Sequence, residues 1–182
     1  MLMLSSAFLF HGENSYTLNT QLTKWKASFV EKYGADALFE FTNQNRDSAQ
    51  LQQALYAGGL FVSKKMIICY GVPKDTYETN TLPAEKIESF FDSFQRNAPQ
   101  LSEDMLVIFV SYKPDKRTKA FKRCNDNLQI KEFSLYKEAQ LKTFITEQLA
   151  PLSITDDLCK YLLLKVGNDM YRLESECQKL KI

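Results

Sequence analysis

The residue types that could do chemistry begin in a short turn near the start of the chain. Ala7 to His11 is an apolar run typical of a buried strand, and Gly12-Glu13-Asn14 follow it. In an α/β sheet this turn is the place for a phosphate-binding loop, G-x-x-x-x-G-K-[ST], whose glycine N–H groups surround phosphates that its lysine neutralises. Here the turn has one glycine, no lysine and an acidic residue, and no Gly-Lys pair occurs in the chain. The sequence therefore predicts that this chain alone does not hydrolyse ATP.

Other catalytic or metal sites find no better support in the sequence. His11 is the only histidine, which excludes a His-rich metal site, and at the end of a buried strand we expect it to be packed or hydrogen-bonded. Asp156 and Asp157 precede an amphipathic helix and are expected to serve its first turn. We therefore predict no catalytic residue, cofactor or metal, and keep an atypical phosphate loop at Gly12 to Thr17 as the enzymatic alternative.

One stretch of the chain is densely basic. A helix is predicted from Asp115 to Cys124, and on it Lys116, Lys119 and Arg123 share one face. This face is either solvated or a contact for the phosphate backbone of DNA, and the aromatic residues typical of single-strand binders are absent from it. The basic residues of the stretch are Lys113, Lys116, Arg117, Lys119, Lys122 and Arg123.

An apolar pair on a turn is the other unusual feature. Gly58-Gly59 ends a predicted helix, and Leu60 and Phe61 follow, just before Val62-Ser63-Lys64-Lys65. Turns are normally polar and solvated, so these two side chains either pack against their own helix or are presented to a partner. The local pattern leaves both interpretations open.

Composition is that of a soluble globular protein. The 182 residues are 45% hydrophobic and 25% charged, with a net charge of +1, so no overall field holds the protein on nucleic acid or a membrane. The four cysteines have no paired spacing, which favours buried, reduced thiols. We expect neither a signal peptide nor a membrane-spanning segment. We expect a cytoplasmic protein.

Strand and helix patterns alternate as far as residue 133 and then give way to helices alone. This predicts an α/β fold: a mostly parallel five-stranded sheet with helices on both faces, followed by a small helical bundle. We place the α/β domain at residues 1–135 and the helical domain at residues 136–182. The predicted strands are Ala7–His11, Ala37–Thr42, Met66–Tyr70, Met105–Val110 and Gln129–Phe133, and the late helices are Lys137–Leu149, Thr155–Val166 and Asn168–Leu180.

Four segments, taken in order, resemble the delta subunit of bacterial DNA polymerase III, and the resemblance extends over essentially the whole chain. Each segment alone is weak, whereas four in register are fairly specific. The segments are Phe8-Leu9-Phe10-His11-Gly12-Glu13-Asn14, Leu60-Phe61-Val62-Ser63-Lys64-Lys65, Lys113-Pro114-Asp115-Lys116-Arg117 and Val166-Gly167-Asn168-Asp169.

The resemblance implies an AAA+ type first domain that has lost its nucleotide site, followed by a lid-like helical domain. In the family, the delta subunit binds the sliding clamp (the polymerase III beta subunit) through an apolar wedge and opens the ring; Leu60 and Phe61 lie where the family carries that wedge. It implies a non-catalytic accessory subunit of a DNA polymerase complex, whose further partners are the gamma/tau and delta prime subunits and primed DNA.

One departure from the family concerns length. Members continue into a third, helical domain that holds the loader together, whereas this chain stops at Ile182 inside a helical pattern. We expect an N-terminal portion of a longer protein, able to bind the clamp but assembling weakly with other subunits. The alternatives that stay open are a divergent P-loop NTPase and a DNA-binding module that uses the basic helix 115–124.

Overall fold

The computed structural model describes residues 6–42, 64–71 and 105–181 of the chain. Within it the chain divides into two compact units, one ending at Phe133 and the other beginning at Ser134. The predicted wedge residues Leu60 and Phe61 lie outside the described residues, as does the predicted helix that Gly58-Gly59 ends.

The first unit is built on a five-stranded sheet in which every described pairing is parallel. The strand order is β2-β3-β4-β1-β5, so β1 lies between strands that come late in the chain. All five predicted strands are confirmed, with ends that differ by one residue at most. Their bounds are β1 Ala7–His11, β2 Leu38–Phe41, β3 Lys65–Tyr70, β4 Met105–Ser111 and β5 Gln129–Glu132.

Both faces of the sheet are covered by helices, as the sequence predicts. Helix α1 (Ser15–Tyr33) buries Leu18, Leu22 and Phe29 against one face, whose sheet residues include Phe10, Ile68 and Ile108. Helix α2 (Lys119–Asn127) packs on the opposite face, where its buried residues Phe121 and Cys124 join Leu9, Ile67 and Phe109. Adjacent strand residues point to opposite faces, which is why continuous apolar strands serve two cores.

Polar contacts fix the start of α1 and its position against β2 and β3. The Asn14 side chain accepts a hydrogen bond from the Thr17 N–H and so caps the helix. The Glu40 carboxylate on β2 accepts a hydrogen bond of 2.8 Å from the Tyr70 hydroxyl and one of 3.2 Å from the Lys26 ammonium. Burial and this carboxylate both raise the pKa of Tyr70, so the hydroxyl remains a proton donor.

The second unit contains helices α3 (Glu138–Leu149), α4 (Asp156–Val166) and α5 (Met170–Lys179). Thr155 caps α4 and Asp169 caps α5, each accepting from a backbone N–H three residues on. Asp156 and Asp157 lie in the first turn of α4, as the sequence predicts. The buried residues of the three helices are Leu141, Phe144, Ile145, Leu149, Cys159, Leu162, Met170, Leu173 and Cys177.

All four cysteines are free and buried, which confirms the prediction of buried thiols. Among the described helices, none is long and apolar enough to cross a membrane.

Candidate functional site

The turn after β1 lies at the carboxyl edge of the sheet, where open α/β sheets bind their ligands. Two of its backbone N–H groups, those of Gly12 and Asn14, donate to carbonyl groups of the same chain. The Gly12 N–H donates to the Ser111 carbonyl at 3.3 Å, and the Asn14 N–H donates to the Phe133 carbonyl at 3.0 Å. These are the donors that a phosphate-binding loop would turn toward its ligand, so the described turn has no free cradle of N–H groups at these positions.

Gly12 allows the close approach of the chain to itself at this turn. Its φ is +141°, and a Cβ atom built there would overlap the backbone carbonyl group of Phe133. The Phe133 N–H in turn donates to the His11 carbonyl at 2.7 Å. The glycine is therefore needed for packing against Phe133, whereas in a phosphate loop it would make room for the ligand.

The N-terminus of α1 is occupied by acceptors that an anion would have to displace. The Asn14 side chain is 3% exposed and already caps the Thr17 N–H. The Glu13 carboxylate beside the turn forms an ion pair with Lys113 at 3.2 Å, so the charge of this lysine is already compensated. Both features disfavour a bound phosphate at this helix end.

His11 is packed, as the sequence predicts. Its side chain is 2% exposed, and its ring meets the Phe121 ring edge-on, with centroids 5.2 Å apart. Burial lowers the pKa of His11, an effect that Glu132 opposes and Lys116 reinforces. Across the described residues, no group of three or more His, Cys, Asp or Glu side chains could hold a metal ion.

The basic helix begins later than the sequence predicts. The predicted helix covers Asp115 to Cys124, but α2 begins at Lys119. Thr118 has extended backbone angles, and its hydroxyl accepts the Phe121 N–H at 3.2 Å, so it caps the helix. Asp115 instead accepts from the Arg117 N–H and guanidinium, which holds residues 115–117 in a turn and lowers the pKa of Asp115 to about 2.

The late helix start separates the predicted DNA-contact residues. Lys116 lies before the helix, and its ammonium pairs with Glu132 at 2.8 Å, whereas Lys119 and Arg123 lie one turn apart on α2. The prediction that all three share one helix face is therefore wrong. Thr118 is the signal in the sequence, because the hydroxyl of a threonine directly before a helical pattern can cap the helix.

Ion pairs already occupy half of the basic stretch. Lys113 pairs with Glu13, Lys116 with Glu132 and Arg117 with Asp115. Lys119 and Lys122 are exposed and form no ion pair with any residue in the described ranges. An anion approaching this surface would therefore meet Lys119 and Lys122 first.

Comparison with known proteins gives structural matches only. The chain aligns with the Bacillus subtilis DNA clamp loader delta protein (YqeN) at a TM-score of 0.63 and 14% identity, over 98% of this chain and 53% of that one. A Thermotoga maritima DNA polymerase III gamma subunit-related protein aligns at a TM-score of 0.51 and 14% identity, over 98% and 54%. A chain of the E. coli MS115-1 HORMA:CdnC:Trip13 complex aligns at 0.58 and 13% identity, over 89% and 60%.

At these identities the matches show a shared fold. No protein-family model matches the chain, and no curated protein matches it significantly in sequence. The chain spans between 53% and 60% of the length of the three structures. The predicted fold class, a parallel five-stranded α/β sheet with helices on both faces followed by a helical unit, is confirmed, and the fold is shared with a clamp-loader delta protein.

Proposed function

We propose that this chain is a delta-type clamp-loader subunit that binds the sliding clamp and helps to open the ring during DNA replication. The observation that carries the proposal is the fold shared with the Bacillus subtilis DNA clamp loader delta protein over 98% of this chain. The four delta-like segments of the sequence support the same function. One of them supplies Leu60 and Phe61, to which we assign the clamp-binding wedge.

The wedge acts through burial of apolar surface. If a clamp pocket takes up Leu60 and Phe61 and buries them fully, two side chains of this size would contribute roughly 3 to 6 kcal/mol, before the cost of ordering. Opening requires that the wedge bind the distorted clamp interface more tightly than the closed one. The ring then opens by a shift of population, and no ATP hydrolysis in this chain is required.

The turn after β1 supports a non-catalytic role. Its Gly12 and Asn14 N–H groups are paired with carbonyl groups of Ser111 and Phe133, and no Gly-Lys pair exists in the sequence. These features favour a subunit without a nucleotide site over the divergent P-loop NTPase. ATP would act through neighbouring subunits, which in the family are gamma/tau and delta prime.

The remaining parts of the proposal follow from the family resemblance. The α/β domain at residues 1–135 would carry the clamp contact, and the helices of residues 136–182 would form the lid-like domain. The protein would work in the cytoplasm as part of the polymerase complex, on primed DNA. A third domain, as in family members, would be needed for stable assembly.

Direct DNA binding is the second candidate function. The observation that favours it is the pair Lys119 and Lys122, which are exposed on α2 without an ionic partner in the described part of the chain. Together with Arg123 they could contact successive phosphates of a DNA strand. Lys116 is a weaker candidate than the sequence suggests, because Glu132 already neutralises it.

The test of the proposed function is binding of the chain to an immobilised sliding clamp from the same organism. We expect saturable binding with a dissociation constant in the micromolar range or tighter, roughly –8 kcal/mol or better. A folded chain that does not bind the clamp would contradict the proposal.

A further inference from the structure

The His11 side chain packs against the first turn of α2. Its ring, 2% exposed, packs edge-on against Phe121, which lies in the first turn of the helix. The Phe121 N–H donates to the hydroxyl of Thr118, the residue that caps α2. The contact between His11 and Phe121 thus joins the carboxyl end of β1 to the point where the helix begins.

One nitrogen of the buried His11 imidazole lacks a hydrogen-bond partner in the described structure. This nitrogen is Nδ1. In the neutral ring one nitrogen is a donor and the other an acceptor, whereas the protonated ring has an N–H on both. A protonated His11 would therefore bury a positive charge and an Nδ1–H that meets no acceptor in the described structure.

The charged groups that face His11 come from two neighbouring elements. In the sheet, His11 is in register with Glu132 on β5, and the Glu132 carboxylate is paired with Lys116 from the segment before α2. Glu132 favours the protonated ring, while Lys116 disfavours it, and burial has the largest effect. The neighbours of His11 on β4 and α2 are Ser111 and Phe121, and neither side chain changes its protonation state near neutral pH.

We propose that His11 makes the contact between β1 and α2 pH-sensitive: the neutral ring holds α2 in place, and uptake of a proton loosens α2 and the basic segment before it. The direction follows from linkage. Since the pKa of His11 is lowered on folding, the unfolded chain binds more protons, and stability falls as the pH drops through the ordinary histidine value of 6.5. Above pH 6.5 the ring is neutral in both the folded and the unfolded chain, so His11 no longer lowers the stability of the fold.

The single histidine allows a direct measurement. In a proton NMR titration of the full chain, one imidazole Cε1–H resonance should appear, because the sequence has one histidine. We expect its pKa to lie below 6.5 in the folded protein and to return toward 6.5 in denaturant. A folded-state pKa of 6.5 or higher would overturn the proposal.

Two surface variants test the cause without disturbing the core. Glu132→Gln removes the carboxylate that favours the protonated ring, so the pKa of His11 should fall further. Lys116→Gln removes the opposing positive charge, so that pKa should rise. Lys24→Gln, an exposed position on α1, is the matched control and should leave it unchanged. Shifts of the wrong sign, or equal shifts in the control, would contradict the assigned geometry.

Amide hydrogen exchange tests the consequence for α2. Between about pH 7.5 and about pH 5.5, after correction for intrinsic exchange rates, protection of residues 113–127 should fall more than protection of α4. In His11→Gln, which cannot titrate, the extra loss should vanish. Equal loss in both helices, or an unchanged extra loss in His11→Gln, would overturn the proposal; if that variant does not fold, the same comparison in Lys116→Gln should show the loss at higher pH.

Discussion

The backbone N–H of Asn14 donates a hydrogen bond of 3.0 Å to the carbonyl oxygen of Phe133. This bond joins the start of α1 to the last residue of the α/β unit, although 119 positions separate the two in the sequence (133 − 14). Gly12 makes the approach possible by carrying no side chain. In this chain, the turn at which related sheets bind ligands is part of the packing of the chain against itself.

The first prediction concerns Gly12. Gly12→Ala should lower the free energy of unfolding by at least about 1 kcal/mol more than Gly34→Ala does, because only the first variant forces a methyl group into backbone atoms. Both glycines have positive φ, at +141° and +88°, but a Cβ at Gly34 would meet nothing within 4 Å. Gly34→Ala is therefore the control for backbone strain alone. We expect that strain to lower the free energy of unfolding by about 1 to 3 kcal/mol.

Urea unfolding of the two variants, followed by circular dichroism, measures the difference. Equal losses of stability would mean that Gly12 is required for its backbone angles alone. The packing of the turn against Phe133 would then have no energetic consequence.

The second prediction concerns nucleotides. Titration of the chain with ATP and Mg²⁺ should show no saturable binding up to about 1 mM, since the N–H groups of Gly12 and Asn14 are already paired and Glu13 lies beside them. Isothermal calorimetry is the measurement, with a nucleotide-binding clamp-loader subunit as the positive control. Saturable binding that is lost on substitution of Gly12 would favour the NTPase alternative.

The sequence predicts the five strands and the helices of the second unit well, and the reason is local. The strands β3 and β4 are continuous apolar runs, and Asn14 and Thr155 precede helices at positions where a short polar side chain can cap. Such signals lie within a few residues of the element they define. Their predicted bounds accordingly differ little from the observed ones.

The parts that the sequence does not predict depend on distant partners. Nothing near Gly12 indicates that Phe133 lies against it, because the contact exists only once β5 has paired with β1. The start of α2 also escapes prediction, here through a local contact: Asp115 binds Arg117, two residues on, and so lies in a turn before the helix. The pairing of Lys116 with Glu132 likewise needs the folded sheet edge.

The third prediction concerns the basic surface of α2. If the chain contacts DNA directly, Lys119→Gln with Lys122→Gln should weaken binding and reduce the slope of log affinity against log salt by about 2. Both side chains are exposed and lack an ion pair in the ranges that the structure covers. Fluorescence anisotropy with a labelled primed duplex at several salt concentrations is the measurement.

A control variant separates a local contact from net charge. Lys24→Gln with Lys181→Gln removes the same charge from exposed positions elsewhere in the chain. It should leave the salt slope unchanged. If both double variants reduce the slope equally, the attraction to DNA is a property of overall charge, and the α2 surface has no particular role.

The most direct test of the central claim is the contribution of Leu60 and Phe61 to clamp binding. Surface plasmon resonance on an immobilised sliding clamp would compare the unmodified chain, Leu60→Ala with Phe61→Ala, and a control, Tyr161→Ala with Leu164→Ala. The control removes two exposed side chains of similar size from α4, where they are 59% and 88% exposed. Circular dichroism would establish that all three chains are folded.

The account predicts that the unmodified chain and the Tyr161 and Leu164 control bind the clamp alike. The Leu60 and Phe61 double variant should bind at least about 100-fold more weakly, as expected from the loss of roughly 3 kcal/mol or more of apolar burial. Full binding by that folded double variant would contradict the account, because the clamp contact would then not depend on the wedge.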